Sequence, residues 1–173
     1  IQIFSTTRGQ LTSGDGASDP SLNSLGEVVY VELVGGTQQV VSSLRGPLTV
    51  FGAAGPVDLR DPAIDDSGWV VFSAHLPPSA SGTGEERNLW EITPGGAVGQ
   101  LSFFELPQRA TRPTLAAASG ELVYLIEDSC EAALVSERDG TILATDGSCV
   151  IRTAHPDLGP EGELVVVERG SDR

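Results

Sequence analysis

The chain has 173 residues and a formal charge of −14, from 24 acidic against 10 basic residues. With the basic residues scattered, no basic stripe offers counterion release, which argues against a nucleic-acid partner; no run approaches the ~20 apolar residues of a membrane-spanning helix. Nine aromatics (five Phe, two Tyr, two Trp), no Met, 21 Gly and 11 Pro among short Val- and Leu-rich runs favour many short strands joined by turns.

In chain order, Gln2-Ile-Phe-Ser-Thr-Thr-Arg8-Gly9-Gln-Leu11-Thr12 predicts a strand, an Arg-Gly turn and the start of a second strand. Pro20-Ser-Leu22-Asn-Ser-Leu-Gly26-Glu-Val-Val29 opens a different unit. The first motif then returns as Gln39-Val-Val-Ser-Ser-Leu-Arg45-Gly46-Pro-Leu48-Thr49, at a constant offset of 37. The second returns as Pro62-Ala-Ile64-Asp-Asp-Ser-Gly68-Trp-Val-Val71, with the same step from Pro to Gly. Residues 77–86, rich in Pro, Gly and Ser, read as an inserted surface loop, either drift or a lid. A looser hairpin follows from Leu89 to Leu101, and Pro113 to Val123 repeats the marker with one extra residue. Another loose hairpin spans Leu134 to Ile142, and the marker closes the series as Pro156 to Val165. The marker glycines Gly26, Gly68, Gly120 and Gly162 are 42, 52 and 42 residues apart.

Units of this length with four strands each are propeller blades. The predicted fold is therefore an all-β, four-bladed β-propeller, with blades at about 17–51, 59–104 and 110–151, and a last blade made of 153–173 plus 1–14. Joining Glu168–Arg173 to Ile1–Arg8 restores the 13-residue span found from Glu32 to Arg45, so both ends are expected in one blade. Half of an eight-bladed ring formed by a homodimer is the alternative. The start at Ile1 is read as a removed signal peptide or tag, or as an excised part of a longer protein.

Asp139-Gly140 is a two-residue hairpin signal. With it as the turn, cross-strand pairs sum to 279 and Cys130 lies opposite Cys149, within reach of a disulfide. Two buried free thiols are the alternative. A disulfide would indicate an exported protein.

The segment Pro62-x-Ile-Asp-Asp-Ser-Gly68-x-Val-Val-Phe72-Ser73, followed by Asn88-Leu-Trp90 and Gly95-Gly96 to Gln100-Leu101-Ser102, resembles the TolB-type propeller blade. Asp19-Pro20 to Tyr30 and Arg45-Gly46-Pro-Leu-Thr49 resemble blades of secreted, often surface-anchored bacterial propeller-repeat proteins. The resemblance covers nearly the whole chain and implies architecture, since propellers serve as enzymes, binders and scaffolds alike. TolB-type domains usually carry about six blades, against four here.

Asp19, Asp61, Arg112 and His155 precede the four marker prolines, and pseudo-symmetry would bring them together at the channel mouth. Two carboxylates, a guanidinium and an imidazole there could hold a small polar ligand, or a small ion in the channel; equally, Asp before Pro is an ordinary turn former. Enzyme signatures are lacking. His75 and His155 are the only histidines, and neither a Gly-x-Ser-x-Gly elbow nor a Cys-x-x-Cys or His-x-x-x-His pair appears. Asp65-Asp66 beside Ser67-Gly68 reads as a structural turn, and Trp69 and Trp90 as core residues in preference to sugar platforms.

The sequence thus points to a non-catalytic ligand-binding or protein-interaction module of an exported bacterial protein, whether secreted, periplasmic or on the cell surface, with no cofactor. A unit of a longer propeller-repeat array is the structural alternative, and a glycan hydrolase the enzymatic one.

Overall fold

Residues 2–6, 8–12, 16–51, 55–76, 87–105, 107–128, 132–144, 156–159 and 163–165 are described by a computed structural model. Its strands form where β-branched and aromatic residues alternate between faces, and the described residues contain no helix. A two-stranded hairpin, β1 (Phe4–Ser5) and β2 (Gly9–Gln10), precedes three four-stranded antiparallel meanders. The first comprises β3 (Ser18–Leu22), β4 (Val28–Val34), β5 (Thr37–Ser42) and β6 (Gly46–Pro47). The second comprises β7 (Val57–Ile64), β8 (Val70–His75), β9 (Arg87–Ile92) and β10 (Val98–Gln100). The third comprises β11 (Arg109–Leu115), β12 (Leu122–Glu127), β13 (Ala132–Ser136) and β14 (Gly140–Ala144). A second two-stranded hairpin, β15 (Asp157–Leu158) and β16 (Leu164–Val165), follows.

The repeat read from the sequence recurs in the backbone bonding. Phe4 pairs with Gln10 and Ser5 with Gly9, as Val41 pairs with Pro47 and Ser42 with Gly46. The hydroxyls of Thr12 and Thr49 accept from the amides of Ile3 (3.2 Å) and Val40 (2.9 Å), and Ser102 does the same for Leu89 (2.9 Å). A hydroxyl two residues beyond β2, β6 and β10 thus serves an amide of the preceding strand segment, and those of Thr12 and Thr49 are buried.

Each four-stranded sheet buries apolar residues on both faces and packs on its neighbours. Val70, Phe72 and Ala74 of β8 join Val29, Val31 and Val40 of the first sheet in one core. Val71, on the opposite face of β8, packs with Leu89, Ala110, Leu115 and Leu122 in the core shared with the third sheet. The innermost strands stand side by side, β3 against β7, β7 against β11 and β11 against β15. Among the described residues β16 pairs only with β15 and β1 only with β2, so no ladder joins the two end hairpins.

The marker turns stitch the sheets together at one end. Asn23 Nδ2 donates to the Asp65 carbonyl (3.0 Å), the Ser24 backbone amide and hydroxyl donate to the Asp66 carboxylate, and the Asp66 backbone amide donates to the Ala117 carbonyl (2.8 Å). Asp65 Oδ1 holds its own turn by accepting from Ser67 N, Ser67 Oγ and Trp69 N. Gly120 is required next to it, because its φ is 68° and a Cβ there would come within 3.0 Å of Asp65 Oδ2.

One expected register is corrected. In the third sheet Ser136 pairs with Gly140 and Val135 with Thr141, so Asp139-Gly140 is not a two-residue turn. Ser136 Oγ accepts from Arg138 N (3.1 Å) and Asp139 N (3.2 Å), which closes a three-residue loop, 137–139, followed by Gly140 at φ 76°. A further shift lies between Leu134 and Val135, and together these offsets remove the alignment that set Cys130 opposite Cys149. Both cysteines lie outside the described residues.

Tyr30 ties β1–β2 to the first sheet: it packs with Ile3, Ala17 and Val41, and its hydroxyl donates to the Leu11 carbonyl (3.1 Å). Burial, and secondarily Glu32, raises the Tyr30 phenol above its ordinary value. Burial and Glu137 do the same for Tyr124. A phenol held protonated by folding contributes stability below its unfolded value of ~10, lost as the pH rises through the folded value. Stability is therefore expected to fall above about pH 10. Tyr30→Phe should lower neutral-pH stability by about 0.5–1.5 kcal/mol and flatten that alkaline fall. Urea unfolding across pH with an ultraviolet phenol titration checks this; an unchanged alkaline slope would remove Tyr30 from the account.

Candidate functional site

Asp19, Asp61 and Arg112, which precede three of the marker prolines, do not cap turns; they lie inside the innermost strands. Asp19, Asp61 and Arg112 have φ of 53°, 50° and 51°, in the left-handed region. At each, the ladder slips by one residue, between Ser18 and Ser21, Arg60 and Ala63, and Thr111 and Thr114. These are β-bulges whose two residues stand opposite one aromatic: Tyr30, Phe72 or Tyr124. The following proline lacks an N–H to lose, and β3, β7 and β11 are edge strands, so its cost to the ladder is small. Asp tolerates positive φ better than most residues, which suits it to this position.

A cavity of about 620 Å³ runs between the innermost strands. Asp19 and Ser21 of the first sheet, Asp61 of the second, Thr114 of the third and Leu158 of β15 all line it. Two of the four expected mouth residues therefore share one cavity. Arg112 occupies the equivalent bulge on β11 but is not among the lining residues; the adjacent Pro113 and Thr114 are. His155 lies outside the described residues. Among the described residues the lining carries two carboxylates, several hydroxyls and no basic side chain. Among the described residues no cluster of three or more His, Cys, Asp or Glu side chains could hold a metal ion.

A second polar group, unanticipated from the sequence, sits on the same strand as Asp61. β7 carries an additional register shift between Val57 and Arg60, and Asp58 there has a φ of 50°. Its carboxylate pairs with Arg87 and Arg60 and lies 3.7 Å from His75 Nε2. Arg87 is buried and also donates to the Asp58 carbonyl (3.1 Å) and the Ser73 hydroxyl (3.1 Å). Burial lowers the Arg87 guanidinium below its ordinary value, and Asp58, then Asp61, oppose that shift. His75 and Arg87 are cross-strand partners, so Asp58 fixes the paired ends of β8 and β9. The sequence signal was an Asp three residues before Asp61, at a strand position where the other repeats carry none.

The tryptophans are core residues. Trp69 packs on the core between the second and third sheets and donates to Glu91 Oε2 (2.8 Å), while Trp90 packs beside Phe51, with ring centroids 6.3 Å apart.

Asp58→Ala strips a buried guanidinium of its carboxylate and should cost about 3–5 kcal/mol. Arg60→Ala, at an exposed pair, should cost about 1 kcal/mol or less. Urea denaturation of the two variants checks the contrast, and equal losses would show that burial of Arg87 is not what gives the cluster its weight.

No protein-family model and no curated protein matches the chain. Solved structures do. TolB from Acinetobacter baumannii superposes with a TM-score of 0.63 at 18% identity, over 95% of this chain and 41% of that one. A structure assigned as TolB from Agrobacterium tumefaciens gives a TM-score of 0.64 at 13% identity, over 93% of this chain and 61% of that one. The chain thus spans less than two thirds of either protein. Its fold is a TolB-like, propeller-type arrangement of antiparallel sheets.

Proposed function

We propose that the chain is a non-catalytic ligand-binding or protein-interaction module of an exported bacterial protein, with its site at the mouth of the central channel. The observation that supports this is the cavity itself, lined from β3, β7, β11 and β15 and holding both Asp19 and Asp61. In this reading four blades surround the channel, and the N-terminal hairpin supplies the outer strands of the last. Arg112 and His155 stand at the equivalent positions of the remaining blades and complete the rim. The fold likeness to TolB structures agrees with an interaction role and with export from the cytoplasm. The runner-up is one unit of a longer array, or half of an eight-bladed dimer; the end hairpins, unjoined among the described residues, favour considering it.

Amide shift mapping with simple polar probes, amines and sugars, should perturb Ser21, Ala63 and Thr114; shifts confined to other surfaces would move the site elsewhere. His155 should titrate at a higher pH in the wild type than in Asp19→Asn/Asp61→Asn, because the carboxylates favour the imidazolium. Stability from that pairing would be lost as the pH rises through the folded His155 value. An identical titration in both proteins would separate His155 from the aspartates. Light scattering distinguishes the monomeric ring from the dimer.

A further inference from the structure

Asp139-Gly140 closes the outer hairpin of the third sheet, where the N-terminal hairpin and the outer hairpin of the first sheet carry Arg8-Gly9 and Arg45-Gly46. The backbone is alike in all three. Ser5 pairs with Gly9, Ser42 with Gly46 and Ser136 with Gly140, and the three glycines have φ of 76°, 75° and 76°. The side chain before the glycine differs. Arg45 is held by Glu27 (2.6 Å) and by the Gly68 carbonyl (3.2 Å), whereas Asp139 brings a carboxyl group that can close a five-membered ring with the backbone nitrogen that follows it.

Three features leave that ring free to close. Asp139 and Gly140 are both exposed at the tip of the hairpin. The carboxylates of Asp19, Asp58, Asp65 and Asp66 are each engaged by hydroxyl, amide or guanidinium donors. Asp139 bonds through its backbone amide, to Ser136 Oγ (3.2 Å), while its carboxylate accepts no hydrogen bond and joins no ion pair among the described residues. Gly140 has no Cβ to crowd the approach to its nitrogen, and the place a Cβ would take has nothing within 4 Å.

We propose that Asp139 is a site of spontaneous backbone modification in the folded protein, isomerising through a succinimide to isoaspartate, and that this change loosens the β13–β14 hairpin. The Gly140 nitrogen attacks Asp139 Cγ; an N–Cγ bond forms, and the hydroxyl of the protonated carboxyl leaves with the amide hydrogen as one water. Water then opens the ring. Hydrolysis at Cγ restores aspartate, whereas hydrolysis at the α-carbonyl leaves the main chain running through Cβ and Cγ, with the α-carboxylate free. One water is lost and one regained, so mass and oxidation state are unchanged. The lengthened main chain no longer fits a three-residue loop in which the Arg138 and Asp139 amides both reach Ser136 Oγ. Ser136 in turn holds Glu121 (3.0 Å), so the hairpin tip is uncoupled from the marker turn of its own sheet. Arginine cannot react in this way, which excludes the two sister loops.

Incubation of the full chain in warm buffer for several weeks, followed by peptide mapping and an isoaspartyl methyltransferase assay, should yield an isobaric, separately eluting peptide. Electron-transfer fragmentation should place the isomer at residue 139, as distinct from Asp15 and Asp146, the other aspartates that precede glycine and that lie outside the described residues. Conversion should be several-fold faster at about pH 5 than at about pH 8, because the reacting form is the protonated acid, scarcer at the higher pH. Asp139→Arg, which installs the residue of the sister loops, should fold as the wild type does and lose the product altogether. Product in a synthetic peptide of the same hairpin, with none at residue 139 of the folded chain, would show that the fold blocks the reaction and would overturn the proposal. The separated isoaspartate form should exchange the amide hydrogens of β13 and β14 faster than the unaged protein. Equal exchange would overturn the loosening. None of these readouts involves the channel mouth, so the proposal stands or falls independently of a ligand there.

Discussion

Burial of both faces of each four-stranded sheet is the constraint on which the rest depends. A meander with Val70 and Phe72 on one face and Val71 on the other cannot be stable with only one face covered. Truncating a buried Phe such as Phe72 typically costs about 3–5 kcal/mol, a large fraction of the stability of a domain. Each sheet therefore demands two neighbours, and a row of twisted sheets that satisfies this demand turns about an axis. The innermost strands then converge, which is how β3, β7, β11 and β15 come to line one cavity.

Several polar groups sit where the sheets meet at their rims and are answered across a turn or a seam. Asn23 answers the Asp65 backbone, Arg45 answers Glu27 and the Gly68 carbonyl, and Arg87 answers Asp58. In a chain with 24 acidic residues and 10 basic ones, Arg45 compensates the buried Glu27, and Asp58 compensates the buried Arg87. Asp19 and Asp61 line the cavity between the innermost strands.

Much of this was legible because repetition is a strong signal. The 37-residue offset between Arg8-Gly9 and Arg45-Gly46 anticipated two hairpins of the same register, and the Pro-to-Gly marker anticipated the innermost strands and the turn after them. The third hairpin was misread because Asp-Gly is a good two-residue turn in isolation. The competing signal was Ser136 four residues before Gly140, the spacing of Ser5 to Gly9 and Ser42 to Gly46. The left-handed bulges were hidden for another reason: Asp19-Pro20 has the composition of a turn, and only pairing on both sides of it shows a strand that continues through. Asp58 and Arg87 are 29 residues apart and lie in no repeated motif, so nothing local linked them.

Hydrogen exchange across the whole chain tests most directly whether sheet-on-sheet burial runs unbroken around the axis. The account predicts that peptides covering β1–β2 and β15–β16 are protected as strongly as those of the three four-stranded sheets and lose protection together with them in one cooperative opening. Exchange of the two end hairpins at the rate of unprotected amides, with the three sheets still protected, would contradict it.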